Sequence, residues 1–451
     1  MIDNFCFIGC GMVATALLEV FNMEKAFYNI SFTIIEPEEI KTDLLEGRDY
    51  QHIKEHLTLE NHRDLLKDVT SSTLIIDLSV ELDSLMVIKY AKEKGALYIN
   101  TSVENWESFT EDKGLSNNYE DFKNNTLFHR ELEVDELLKN TKKTRIVNMG
   151  MNPGGINEYT KLGLKEYAKT KGKHLIKGNY AKLGYELGLK KIVIAEYDSA
   201  LTDIQPKPDT FYNTWSPLGA QSEFADYVMM SLNNEDLEKF EDIIIKPNEG
   251  KPDTHIRFIA ERGMDMFDNG ICLDINGDAF EYSGGMLIPH AEVISMSDFY
   301  SYKGDAPTIF YCYRPSQITL FSTDKLEENN YLPLPFYYGL ENKDIINNGI
   351  DSIGALMFFE NGDIFWAGTV QSQDEIVKMG FKYAQATTVQ VAGWIFATIV
   401  YILKHPQEGF NEPDTLHSNE LFKIAKKYQG KSFFKQIKEY LSVDKETLIT
   451  V

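Results

Sequence analysis

The run Phe7-Ile8-Gly9-Cys10-Gly11-Met12-Val13-Ala14 decides how the first third of this chain folds. A short apolar stretch, 4–8, leads into it, and a helical pattern, 12–21, leads out. In a G-x-G-x-x-A turn between strand and helix, the first glycine permits the tight turn. The second lets a pyrophosphate come close to the backbone, and the small third residue lets helix and strand pack. Phosphates then meet the free N–H groups and positive dipole end of the helix. Gly9, Gly11, Met12, Val13 and Ala14 are therefore candidate dinucleotide-binding residues. A second β-branched stretch, 31–35, ends at Glu36, about twenty residues beyond the glycines. An acid there accepts hydrogen bonds from the adenosine ribose and repels a 2′-phosphate, so the expected cofactor is NAD rather than NADP.

Further strand-like runs at 73–78 and 96–100 alternate with helical stretches at 63–68 and 83–94, and 145–148 closes the series. Strands that alternate with helices imply crossover connections and a parallel sheet. Ser79 and Val80, just past the 73–78 strand, fall in the crevice where open α/β sheets bind ligands. From Asn152 the alternation is lost. A helix at 156–171 precedes strand-like runs at 191–195, 255–259, 284–287, 291–296, 308–313 and 363–367. The expected fold is α/β: a Rossmann-type parallel-sheet domain over 1–150, then an α+β domain with a mixed sheet over 151–370. A C-terminal segment, 371–451, is expected to be helical and to pack back on the first domain, with two short helices beyond His405.

Of 451 residues, 43% are hydrophobic, and the formal net charge is −24. That charge disfavours a nucleic-acid partner, which needs a basic stripe. It suits a small cationic ligand drawn into a negative cleft, although solubility alone also calls for charge. Four cysteines make no disulfide framework. His52, His56 and His62 read as a solvated acidic helical segment, and the spacing of histidines and cysteines predicts no metal site. The longest apolar run, 389–403, is short of a membrane span. Phe5 to Ile8 run straight into glycines with no basic segment ahead. A cytoplasmic location without membrane attachment is expected.

Four clusters in the second half stand out: Gly150-Met151-Asn152-Pro153-Gly154-Gly155, Glu196 at the end of a β-branched strand, Asn213-Thr214-Trp215-Ser216 followed by Glu223, and Pro289-His290-Ala291-Glu292. Taken singly, each reads as structural: a turn, a solvated acid, a core indole, a satisfied histidine.

Together, GMNPGG, GLKKIVIAEYD, FYNTWSPLGAQSE, PHAEVIS, GIDSIGALMF and ATTVQVAGWIFATIVYILKHPQEG resemble the bacterial homospermidine synthases, within the wider saccharopine dehydrogenase-like group. Ala14 stands where that family usually has a third glycine, and Glu36 where it usually has Asp. The resemblance implies a bound, recycled NAD, polyamine substrates (putrescine and possibly spermidine) and a homodimer. It implies that Glu196 contacts the reacting nitrogen, that Asn152 orients the amine, and that His290 and Glu292 shuttle protons. Trp215 would face the iminium cation, Glu223 would lie near the diamine, and Glu104 and Asp351 would be acids further out. The alternative is a saccharopine or carboxyspermidine dehydrogenase-like enzyme. Carboxylated substrates call for Arg or Lys in the pocket, yet Asn152 to Gln371 contains only Arg257, Arg262 and Arg314.

Overall fold

The computed structural model describes residues 2–80, 82–103, 126–175, 178–247 and 254–438. β1 (Asn4–Ile8), β2 (Ser31–Ile35), β3 (Tyr50–Ile53), β4 (Thr73–Asp77), β5 (Leu97–Asn100) and β6 (Arg145–Ile146) pair in parallel, with Phe410–Asn411 beyond β6. Across the sheet the order is 410–411, β6, β5, β4, β1, β2, β3. The chain thus switches sides at β1, and the crevice past the ends of β1 and β4 is the topological switch point. Alternation along β1 serves both faces. Phe5 and Phe7 pack with the helix Met12–Met23, while Cys6 and Ile8 pack with the helix Ser84–Lys94. The second sheet is mixed. Its centre is β7 (Leu189–Asp198), parallel to Thr308–Arg314 on one side and antiparallel to Ile350–Phe359 on the other. Ile364–Ser372 and Lys431–Gln436 extend one edge; Tyr227–Ser231 and Ile256–Arg262 extend the other.

The helix Ala386–Lys404 joins the two sheets. Phe396 lies 6.0 Å from Phe21 and 6.1 Å from Phe27 in the first unit. Trp394 fills the space beside Gly155, where an added Cβ would stand 2.1 Å from the indole nitrogen. The helix is long and apolar enough to span a membrane, but 83% of that stretch is buried within the fold, so its apolarity serves the core. Glu19, on the helix Met12–Met23, strengthens the junction. Its carboxylate accepts hydrogen bonds from the backbone N–H groups of Tyr383 (3.2 Å) and Ala384 (2.8 Å), just ahead of the joining helix.

Several expectations are corrected. The stretch 291–296 is the start of a helix, Ala291–Tyr300, not a strand. Its β-branched residues pack on nearly every side, and tertiary burial overrides propensity. Residues 50–53 form the edge strand β3 rather than part of a helical segment; His52 bonds the Glu36 carbonyl from it at 2.8 Å. The helical stretch after Ser372 breaks at Gly380 (φ +88°). Among the described residues beyond His405 there is one α-helix, Ser418–Ala425, and two strands that complete the two sheets. Phe396→Ala should lower the free energy of unfolding by about 3–5 kcal/mol, read from a denaturant titration; a loss below about 1 kcal/mol would show that the joining helix is not anchored there.

Candidate active site

At the end of β1 the backbone turns through Gly9, whose φ is +82° and whose added Cβ would stand 2.8 Å from the Leu78 carbonyl oxygen. Conformation and space both demand glycine there. Gly11 differs: a Cβ on it would meet nothing within 4 Å. The protein leaves that volume open above the first turn of the helix Met12–Met23, as a closely approaching phosphate requires. Ala14 is buried behind the loop. Glu36 faces the same space. One carboxylate oxygen accepts the Cys10 N–H at 2.6 Å, the other the Glu38 N–H at 3.0 Å. Ser79, whose hydroxyl donates to Asp77 at 2.6 Å, and Val80 line the opposite wall. These residues fit a dinucleotide with free ribose hydroxyls.

The cleft continues from this loop to the second sheet and encloses about 530 Å³. Gly9, Gly11, Met12, Val13, Glu36, Ser79 and Val80 share it with Asn152, Glu196, Trp215, Glu223 and His290, so residues from opposite ends of the sequence reading meet in one cavity. Each far-end residue has a local cause. Asn152 sits in a turn closed by the Gly150 N–H donating to the Pro153 carbonyl at 2.7 Å, with Gly154 at φ +122°. Trp215 precedes the helix Pro217–Ala225, whose first turn Ser216 caps by accepting from the Gly219 N–H at 3.1 Å. His290 is the extended residue that opens the helix Ala291–Tyr300.

Glu196 is 3% exposed and ends β7. Its Oε2 accepts from the Asn152 amide at 2.8 Å and from the Tyr311 hydroxyl at 2.7 Å. Burial, then the nearby Asp198 and Glu292, push its carboxyl up to about 8, while the Tyr311 and Asn152 hydrogen bonds pull the other way. His290 Nδ1 is hydrogen-bonded to the fully buried Glu292, and its Nε2 lies 3.8 Å from Glu223. Burial alone would lower the imidazole pKa, but the two glutamates raise it above its usual value. A buried acid and an imidazole thus flank one end of the cleft, each holding its proton more tightly than usual.

Asp351 lies in the second sheet beside the cleft's acids. The antiparallel register sets it opposite Asp198, next to Glu196, and it is buried, with its carboxyl hydrogen-bonded to Thr387 of the cleft wall. Asp198 accepts from the Thr214 hydroxyl at 2.7 Å and the Ala200 N–H at 2.8 Å. Burial raises all three carboxyls, and no ion pair offsets them among the described residues. Glu104 lies outside the described residues. Tyr311 was not singled out from sequence, and Asp198 and Thr214 fell within quoted motifs without being given a role. The alternation Tyr311-Cys312-Tyr313 on a strand parallel to β7 is the signal that places two tyrosines on the face of Glu196.

A family model described as the saccharopine dehydrogenase NADP binding domain matches residues 5–149. The homospermidine synthase of Mesorhizobium japonicum is 27% identical over 444 residues, covering 94% of this chain and 88% of that protein. That of Blastochloris viridis is 26% identical over 450 residues, covering 94% and 89%. The crystal structure of the homospermidine synthase from Legionella pneumophila in complex with NAD superposes with a TM-score of 0.80 at 25% identity, over 99% of this chain and 95% of that one. The chain resembles the homospermidine synthases along nearly its whole length. Saccharopine dehydrogenase (L-Glu forming) from Saccharomyces cerevisiae shares the fold, with a TM-score of 0.55 at 12% identity over 97% and 100% of the two chains.

The buried carboxyls make stability pH-dependent. Asp351 binds its proton more tightly when folded than when unfolded, so its contribution is complete below the unfolded value, about 3.9. It is lost as pH rises toward the folded value. Asp351→Asn should therefore raise the melting temperature at pH 8 and change it little at pH 4; an equal loss at both would show that the ionised carboxylate is needed for folding.

Proposed function

We propose that this protein is a homospermidine synthase that joins two putrescines into homospermidine and ammonia through imine intermediates. The observation that carries the reading is the charge of the cleft. Seven glutamates line it (Glu36, Glu38, Glu39, Glu55, Glu196, Glu223 and Glu341) against one lysine and no arginine. That lysine, Lys41, is paired with Glu341 at 2.7 Å. Arg262 is spent on the Ala225 carbonyl at 2.8 Å, Arg257 on backbone carbonyls, and Arg314 is not a lining residue. A carboxylated substrate would find no free cation here among the described residues, whereas a diamine finds acids. This favours the polyamine reading over a saccharopine or carboxyspermidine dehydrogenase.

The cofactor in this reading is NAD, held by the Gly9–Ala14 loop, Glu36, Ser79 and Val80, which when bound accepts a hydride from the amine and returns it to the product imine. Glu36 would repel a 2′-phosphate, which sets NAD above NADP. The chain's own residues handle protons and charge. Glu196 takes a proton from the ammonium, whose pKa is near 10.4 in water, and Asn152 holds the nitrogen beside it. His290, poised between Glu292 and Glu223, moves protons at the same end. Trp215 faces the iminium cation with its ring, worth about 0.5–2 kcal/mol, and Glu223 attracts the amine. Walls that exclude water protect the imine from hydrolysis. The protein is proposed to act in the cytoplasm as a homodimer through its second unit, free of nucleic acid and membrane; the resemblance supports this, and the four free, buried cysteines suit a reducing compartment.

Purified protein given putrescine and a catalytic amount of NAD should form homospermidine by mass spectrometry while absorbance at the NADH band stays flat. Steady NADH accumulation without coupled product, or NADH oxidation driven by a keto acid, would contradict the reading. Trp215→Ala should lower kcat/KM between about two- and thirty-fold, and Trp215→Phe by less.

A further inference from the structure

Tyr311 meets Glu196 across the parallel pair of strands. Its hydroxyl donates to Glu196 Oε2 at 2.7 Å, and Asn152 donates to that same oxygen at 2.8 Å. Among the described residues no protein donor reaches Oε1, and Glu196 lines the cleft. Two donors on one oxygen leave the other as the place where a proton is picked up. The ring of Tyr311 also carries His290, with centroids 4.8 Å apart, and is itself stacked on Tyr313 at 5.7 Å with planes only 11° apart. A buried hydroxyl on a ring fixed from both sides is a preorganised donor.

We propose that Tyr311 is a positioning residue: it ties up Glu196 Oε2 so that Glu196 exchanges protons with the amine through Oε1 alone, and it sets how readily that exchange occurs. This rests on Glu196 being the base of the proposed reaction. The charged and titratable groups facing Glu196 are Asp198 on its own strand, Asp351 on the antiparallel neighbour, Tyr311 and Tyr313 on the parallel one, Cys272 from the strand Phe267–Leu273, Tyr282 from the strand Ala279–Ile288, and Glu292 from the helix Ala291–Tyr300. Among these, Tyr311 donates a hydrogen bond to the carboxylate, which stabilises its charged form; the acids act the other way.

Tyr311→Phe keeps both ring contacts and removes only the donor. The rate of homospermidine formation should show its acidic limb moved up by about one pH unit, with kcat/KM near pH 7 falling roughly tenfold and NAD affinity unchanged. Replacing tyrosines by 3-fluorotyrosine, a stronger donor of nearly the same shape, should move the limb down, and serves if the phenylalanine variant does not fold. An infrared titration of the Glu196 carboxyl, assigned by difference from Glu196→Gln, needs no substrate and should show the same shifts. If the protein makes no homospermidine but the infrared midpoint moves, the functional reading fails while the role of Tyr311 stands. If the midpoint and the limb stay in place in both variants, the proposal is overturned.

Discussion

A carboxylate kept from water and given no permanent cation is the constraint around which this molecule is organised. A buried acid without a basic partner is costly to ionise. Here Glu196 is surrounded by further acids, Asp198, Asp351 and Glu292, rather than by lysine or arginine. Such a site is unfavourable unless a cation arrives from outside. The mixed sheet supports the arrangement: β7 delivers Glu196 and Asp198 to one face, its antiparallel neighbour sets Asp351 beside them, and its parallel neighbour supplies Tyr311. In the proposed reading, a cationic ligand is the missing partner of the fold.

The same constraint explains the rest of the cleft. A site that waits for an ammonium gains from a negative mouth that concentrates cations. A site that then removes a hydride needs an acceptor at the far side of the substrate. The glycine loop provides that seat, and the joining helix Ala386–Lys404 fixes its distance from β7 through Phe396 on one unit and Trp394 on the other. Glu19 adds a polar tie between the dinucleotide helix and the backbone at 382–384, whose Tyr383 and Ala384 reach the cleft wall. Packing is thus what holds the two chemical halves in register.

Much of this was legible in the sequence, for identifiable reasons. The glycine loop and Glu36 obey local rules, because turn conformation, phosphate approach and ribose recognition are settled within a few residues. Asn152, Glu196, Trp215, Glu223 and His290 were visible only as a set, since each is bland alone and they meet through sheet register. What escaped was non-local. Residues 291–296 carry β-branched side chains yet form a helix because the core surrounds them, and 50–53 pair at a sheet edge that no local pattern announces. The strands after His405 exist only because a sheet edge is waiting for each of them. Asp351 shows the same limit: the family resemblance implied an acid further out, while its register places it opposite Asp198, beside Glu196.

The central claim is that one cleft takes a hydride from a diamine and gives the same hydride back. Putrescine carrying deuterium on both terminal carbons tests it most directly, with unlabelled NADH added as a trap. The product homospermidine should retain every deuterium, because the hydride never leaves the site. Product that has lost deuterium to the added NADH pool, or label that collects in free cofactor beside an aldehyde, would contradict it.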